Sequence, residues 1–212
     1  MDSCTIDTYN SYAADFAAEW ESKQPEASDL YAIVKRYFRP GRTLDVGCGS
    51  GRDTAWLKRQ GFDVQGIDAS TALLAEARRR HPGIQFQAAS LPALEDIPFT
   101  HFANVFCETV IMHLPTHEIS AAVRRLVSLM SPVGVLYLSW RVTEGADHRD
   151  DRGRLYSAFS VDDVRQALRG NEIALDTREI SASSGKVVHR IVATASKSRL
   201  EENDNGTSRR FC

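Results

Sequence analysis

Asp45, Gly47, Gly49 and Gly51 recur at every second position of Thr43-Leu44-Asp45-Val46-Gly47-Cys48-Gly49-Ser50-Gly51-Arg52-Asp53, and a further acid, Asp68, closes Val64-Gln65-Gly66-Ile67-Asp68. Glycine lacks the Cβ that would obstruct a tight turn or the close approach of a ligand. A helix that follows such a loop aims its first N–H groups, which have no partner within the helix, at whatever the loop holds. An acid ending the next strand, some 20 residues on, is placed to accept hydrogen bonds from a ribose diol. The two features together imply a nucleoside cofactor. Their order also separates cofactor classes, because dinucleotide folds use Gly-x-Gly-x-x-Gly and seat a pyrophosphate on the helix, whereas an acid leading the loop would repel one.

Other reactive side chains lie where strands end, which is where open parallel sheets bind ligands. The exit of the first strand offers Gly47, Cys48 and Gly49, that of the second Asp68, Ala69 and Ser70, and that of the third Ala89, Ser90 and Leu91. The fourth exits into Glu108-Thr109-Val110-Ile111-Met112-His113. A carboxylate at Glu108 binds an ammonium or acts as a base, and a histidine, with an ordinary pKa of about 6.5, takes a proton at neutral pH. His113 is thus either a base or a hydrogen-bonded support in a turn. Beyond the fifth strand runs an arginine-rich stretch, Trp140 to Tyr156, with Arg141, Arg149, Arg152 and Arg154. Guanidinium groups grip carboxylate or phosphate bidentately, with Trp140 and Tyr156 as packing faces, unless Asp147, Asp150 and Asp151 neutralise them as a solvated lid. Finally Ser183, Ser184, Gly185 and Lys186 form either an anion cradle or an ordinary hairpin turn.

These groups need a scaffold, and the pattern supplies one. Thr43 to Val46 is short, apolar and suited to a strand covered on both faces, and Ser50 to Gln60 reads as the helix after the loop. Ser70 caps a helix from Thr71 to Arg80 that stops at His81-Pro82, and Ile84 to Ala88 and Phe102 to Cys107 are the third and fourth strands. Thr116 caps a helix reaching Met130, Ser131-Pro132 breaks it, and Gly134 to Trp140 is the fifth strand. Ser160 opens a capping box with Asp163 for a helix through Leu168. Glu172 to Ile180 and Lys186 to Ala195 form an antiparallel hairpin. Upstream, Tyr12, Phe16 and Trp20, then Leu30, Val34, Tyr37 and Phe38, mark two helices separated by Pro25. The order predicts an α/β, Rossmann-like, doubly wound seven-stranded sheet, mostly parallel, with a C-terminal antiparallel hairpin in a single domain. Residues 1–40 form a helical cover, 41–195 the cofactor-binding domain, and 196–212 a disordered polar tail.

A length of 212 residues suits one full core, and 42% apolar and 25% charged residues are ordinary for a globule. A net charge of −2 offers no global attraction to nucleic acid or acidic membranes, and no Asn/Asp-Pro-Pro-Tyr run marks base flipping. No apolar run approaches the roughly 20 residues of a membrane span, and the N-terminus lacks a basic and apolar signal. The expectation is a cytoplasmic protein, monomer or homodimer, acting on a small molecule. Cys4, Cys48, Cys107 and Cys212 have neither metal-ligand spacing nor a disulfide framework, so no metal is expected. Cys48 and Cys107 read as small core hydrophobes. The Asn205-Gly206-Thr207 sequon has no use in an unsecreted chain.

Asp45-x-Gly47-x-Gly49-x-Gly51 resembles motif I of the class I S-adenosylmethionine-dependent methyltransferases, and Asp68 matches the acid ending their second strand. By order of elements the resemblance spans about Tyr9 to Thr194, with motif I and Asp68 as its specific residues. It implies S-adenosyl-L-methionine as cofactor, with Asp45, Gly47, Cys48, Gly49, Gly51, Asp68, Ala69, Ser90, Leu91, Glu108 and Tyr12 around it. The third-strand exit lacks the Asp that often meets the adenine amine, so Ser90 or a backbone group takes that place. Glu108 and His113 are the candidate catalytic groups. The insertion after the fifth strand implies an acceptor site with Trp140, Arg141, Arg152, Arg154 and Tyr156, joined by Lys186, and a small carboxylate-bearing metabolite as acceptor. Two alternatives stay open: transfer or cyclisation of the cofactor's aminocarboxypropyl arm with release of methylthioadenosine, and a cofactor-binding module without chemistry.

Overall fold

The computed structural model describes residues 1–22, 27–95, 97 and 101–196. Three helices open the chain: α1 (Ser3–Ser11), α2 (Ala13–Ser22) and α3 (Ser28–Tyr37). The sequence pattern predicts only two. α1 escapes it because its buried positions are Thr5 and Thr8 rather than apolar residues, and the expected divider, Pro25, lies outside the described residues. There follow β1 (Arg42–Val46), α4 (Arg52–Arg59), β2 (Asp63–Asp68), α5 (Thr71–Arg80), β3 (Gln85–Ala88), β4 (Phe102–Cys107), α6 (Thr116–Leu129) and β5 (Met130–Arg141). A short hairpin, β6 (His148–Arg149) with β7 (Leu155–Tyr156), precedes α7 (Val161–Ala167), β8 (Asn171–Ile180) and β9 (Val187–Ala195).

Seven strands form one sheet in the order β3-β2-β1-β4-β5-β9-β8, in which β9 alone runs against its neighbours. Strand order reverses between β1 and β4, which makes the carboxyl ends of those strands the natural ligand crevice. Side chains alternate between two cores, as a strand requires. Leu44, Val105, Leu136 and Ile191 pack with Ile119, Leu126 and Val164 of α6 and α7. Val64, Phe106, Tyr137 and Val192 pack with Leu30, Val34, Trp56 and Leu57 of α3 and α4. Cys107 is a buried member of the first core.

Two boundaries depart from the sequence reading. β5 begins at Met130 rather than Gly134, because the Ser131-Pro132 break is a register shift: Phe102 pairs with Met130 and Asn104 with Val135. Thr116 is the first helical residue, with Pro115 at the cap position. Ser160 does cap α7, accepting the Asp162 N–H at 3.1 Å. The tail beyond Ser196 lies outside the described residues.

Candidate functional site

The carboxyl ends of β1, β2, β4 and β5 surround a cleft, where open parallel sheets bind their ligands. Gly47, Cys48 and Gly49 line its floor with Asp68, Ala69, Leu91 and Glu108. The loop is braced from beneath, since the N–H groups of Gly47 and Cys48 donate to the Ile67 carbonyl at 2.8 and 2.9 Å. Gly47 holds φ 74°, and a Cβ there would sit 2.2 Å from a Val110 methyl, so no other residue fits. Asp68 accepts from the N–H of Gly49 at 2.9 Å and of Ser70 at 2.7 Å. Burial raises its pKa, and those backbone donors oppose the rise.

Several residues assigned to the cofactor lie off the cleft wall. Asp45 lies behind the loop, accepting from the Thr54 hydroxyl at 2.5 Å. Burial pushes its carboxyl up to about 8, and Asp53 and Asp68 add to the rise against the Thr54 bond. Gly51, at φ 87°, is the N-cap of α4 and abuts His81 and Phe86. Ser90 is exposed and its hydroxyl bonds the Leu91 carbonyl at 3.1 Å, while Ala89 and Leu91 face the cleft. Tyr12 is 44% exposed. α1 ends one residue before it, and its ring lies under Arg152 at 5.2 Å. Tyr9 and Trp20, from the same anticipated cover, line the cleft instead.

Glu108, at the exit of β4, accepts from Tyr137 at 2.6 Å and from the Ser139 hydroxyl. Burial raises its pKa and these bonds restrain it. Next to it Thr109 takes φ 55°, a strained conformation for a β-branched residue, fixed by its N–H donating to Ser139. Behind Glu108 the fully buried Arg190 pairs with Asp29 of α3 at 2.7 Å and with Glu179. Asp29 also accepts the Ala182 N–H at 3.0 Å, which ties α3 to the turn whose Ser181, Ser183 and Ser184 line the cleft. Sequence pattern gave no signal for this buried pair. Lys186, on the same turn, is exposed and points away.

His113 does line the cleft, but both ring nitrogens are engaged. Nδ1–H donates to the Leu155 carbonyl at 2.6 Å, so Nε2 carries the lone pair, and it accepts the Tyr9 hydroxyl at 3.1 Å. Burial lowers its pKa to about 4. The imidazole is neutral at physiological pH.

The arginines divide sharply. Arg149 pairs with Asp2 at 2.8 Å, Arg154 with Asp150 at 2.7 Å, and Arg152 lies over the Tyr12 and Phe16 rings. Arg154 still reaches the cleft wall, beside Tyr156; Arg152 does not. Arg141 faces the cleft without an ion-pair partner among the described residues. Its buried Nε has no hydrogen-bond partner among the described residues, and Nη1 approaches the Tyr156 hydroxyl at a long 3.4 Å. Trp140 is a correction of the opposite kind. Alternation along β5 turns it to the far face of the sheet, where it is buried against His189 with ring centroids 4.7 Å apart. Among the described residues no cluster of acids, histidines and cysteines could hold a metal ion, and no helix is long and apolar enough to cross a membrane.

A family model described as a methyltransferase domain matches residues 43–134, the stretch that holds the glycine loop, Asp68, Glu108 and His113. Trans-aconitate 2-methyltransferase of Methylobacterium nodulans is 33% identical over 126 residues, covering 58% of this chain and 47% of that protein. The chain spans about half the length of the curated relatives it matches, 47% and 49% of the first two. Magnesium protoporphyrin IX methyltransferase of Synechocystis, solved with bound S-adenosylmethionine, has a TM-score of 0.70 at 22% identity, over 92% of this chain and 98% of that one. The 1,6-didemethyltoxoflavin-N1-methyltransferase of Burkholderia thailandensis gives 0.68 at 21%, over 92% and 88%. Those likenesses carry the seven-stranded fold, and the glycine loop with Asp68 carries the family. Residues 43–134 match the methyltransferase-domain family, and the chain has the seven-stranded fold of the class I S-adenosylmethionine-dependent methyltransferases.

Proposed function

We propose that the protein transfers the methyl group of S-adenosylmethionine to a carboxylate oxygen of a small acid. The observation that carries this reading is Arg141, a cation at the cleft whose buried Nε lacks a partner. An unpaired guanidinium in such a place loses hydration without recompense until an anion of matching geometry arrives. The name of the matched relative, trans-aconitate 2-methyltransferase, makes its acceptor a carboxylic acid and supports the same direction.

The floor of the cleft fits the cofactor. A Cβ at Gly47 or Gly49 would strike Val110 or Trp20, and the buried Ser50 hydroxyl has no partner. Asp68 would accept from the ribose hydroxyls and Glu108 from the ammonium. When bound, the sulfonium supplies an already activated methyl group. What remains for the protein is alignment and exclusion of water. Arg141 would hold the acceptor carboxylate by two N–H donors so that one oxygen faces the methyl. A carboxylate is ionised well below neutral pH, so the transfer needs no general base. That agrees with a His113 whose lone pair is already engaged by Tyr9. Transfer of the aminocarboxypropyl arm has no observation in its favour.

The test is to incubate the protein with S-adenosylmethionine and a panel of small mono-, di- and tricarboxylic acids. Appearance of S-adenosylhomocysteine together with a base-labile methyl ester supports the reading. A base-stable N- or C-methyl product, or methylthioadenosine formed from cofactor alone, overturns it.

A further inference from the structure

We infer that His113 is a positioning residue, the clasp that joins two separate covers over the cleft and so holds Tyr9 across it. One cover is α1. It spans from the N-terminus of α5, where Asn10 accepts from the Ser70 hydroxyl at 2.8 Å, to the β6–β7 hairpin, where the Thr5 hydroxyl accepts the Leu155 N–H at 2.9 Å. The other cover is that hairpin, whose Tyr156 meets Arg141 of β5 and whose following residue, Ser157, bonds the Met112 carbonyl of the turn after β4. His113 stands between them on the turn after β4. Its Nδ1–H holds the Leu155 carbonyl, its Nε2 holds the Tyr9 hydroxyl, and its ring packs edge-on against Tyr9 and Tyr156 at 5.7 and 5.0 Å. Both bonds run to residues far away in the chain, so one buried side chain ties both elements to the turn after β4.

The groups facing the ring are Tyr9 of α1, Arg154, Asp150 and Tyr156 of the hairpin, and Arg141 of β5; burial and the two arginines keep it neutral. A neutral imidazole can accept from Tyr9 at every pH of interest, which suits a clasp. The inference rests on the cleft being the cofactor site, but not on the identity of the acceptor.

The test is therefore made without an acceptor, by following release of S-adenosylhomocysteine in stopped flow from wild type, His113→Phe, Tyr9→Phe and the double variant. Loss of the bond between Tyr9 and His113 predicts release about fivefold to tenfold faster in Tyr9→Phe, and at least as fast in His113→Phe, which also gives up the bond to Leu155. Because both substitutions break the same bond, the double variant should be no faster than His113→Phe. His113→Gln, which can still accept from Tyr9, should recover part of the wild-type rate. Unchanged release rates overturn the clasp, and so do additive effects of the two substitutions. A third refutation comes from turnover: if kcat of the wild type rises through an apparent pKa of about 6 to 7 and His113→Phe abolishes that rise, the residue is a base after all. Should no carboxylic acid be turned over while the release pattern holds, the acceptor assignment fails and the clasp stands.

Discussion

Replacing Arg141 with Met removes the cation while keeping most of the side-chain volume. Two donors are in question: Nε, buried without a partner among the described residues, and an Nη group with a 3.4 Å approach to Tyr156. Each charge-assisted hydrogen bond to a carboxylate contributes about 1.5–3 kcal/mol, and the half-buried setting favours the low end, so the pair amounts to about 3–4 kcal/mol. At 1.4 kcal/mol per decade that is a loss of about 10²–10³ in kcat/KM for the acid acceptor. The structure also fixes what should not change. The cofactor contacts proposed above are to Asp68, Glu108 and the glycine loop, so calorimetric affinity for S-adenosylhomocysteine should hold. Among the described residues Arg141 has no ion pair to lose, so the melting temperature should stay within about 2 °C or rise. Arg141→Lys keeps the charge but not the fork and should fall between, at about tenfold. The assay is initial-rate release of S-adenosylhomocysteine with the acid and with its neutral amide. A Met variant within threefold of wild type on the acid, or one equally impaired on acid and amide, would refute the assignment.

Three further perturbations follow from the floor of the cleft. Asp68→Ala removes the acceptor for the Gly49 and Ser70 N–H groups as well as for a ribose, and calorimetry should show affinity for S-adenosylhomocysteine and for methylthioadenosine falling together by at least about a hundredfold. Gly47→Ala places a Cβ against Val110 at positive φ; cofactor binding should be lost with a lower melting temperature, and adding Val110→Ala should restore part of each. Asp45 has a folded pKa of about 8 against an ordinary value near 3.8. The folded state therefore holds a proton that the unfolded state releases, and the associated stability is full below about pH 4 and lost as pH rises through 8. Asp45→Asn keeps an acceptor for Thr54 and removes this dependence, so the stability difference between variant and wild type, from urea melts at pH 5, 7 and 8.5, should grow with pH. A constant difference would be inconsistent with a protonated Asp45.

The floor was legible because backbone geometry dictates residue type there. Only glycine tolerates the Gly47 position, and a parallel strand buried on both faces leaves an apolar run such as Thr43 to Val46. The closing hairpin and the face on which its serines lie also followed from alternation and the turn residues. The roof was not legible. α1 buries threonines, so it lacks the apolar period that announces a helix, and the phase that singles out Tyr12 shifts to Tyr9 once the helix ends at Ser11. Four arginines in one loop look alike in sequence, and only the partners Asp2, Asp150, Tyr12 and Phe16 leave Arg141 as the unpaired one. Trp140 was misassigned by one residue of strand register, which is enough to change faces.

The bonds of α1 to the hairpin have a consequence for how the chain is made. Thr5 and Thr8 meet Leu155 and Arg152 across 150 and 144 residues of sequence, so α1 can dock on α5 early, through Asn10 and Ser70, but waits for β1 to β5 before its bonds to the hairpin can form. At a synthesis rate of about 5–20 residues per second that interval is on the order of ten seconds. Contacts of such sequence separation also close late in folding, after the nearer strand pairs have formed. The nascent protein thus completes its cofactor floor first and remains open at the top, and the cleft is sealed only when the two ends of its history are brought together.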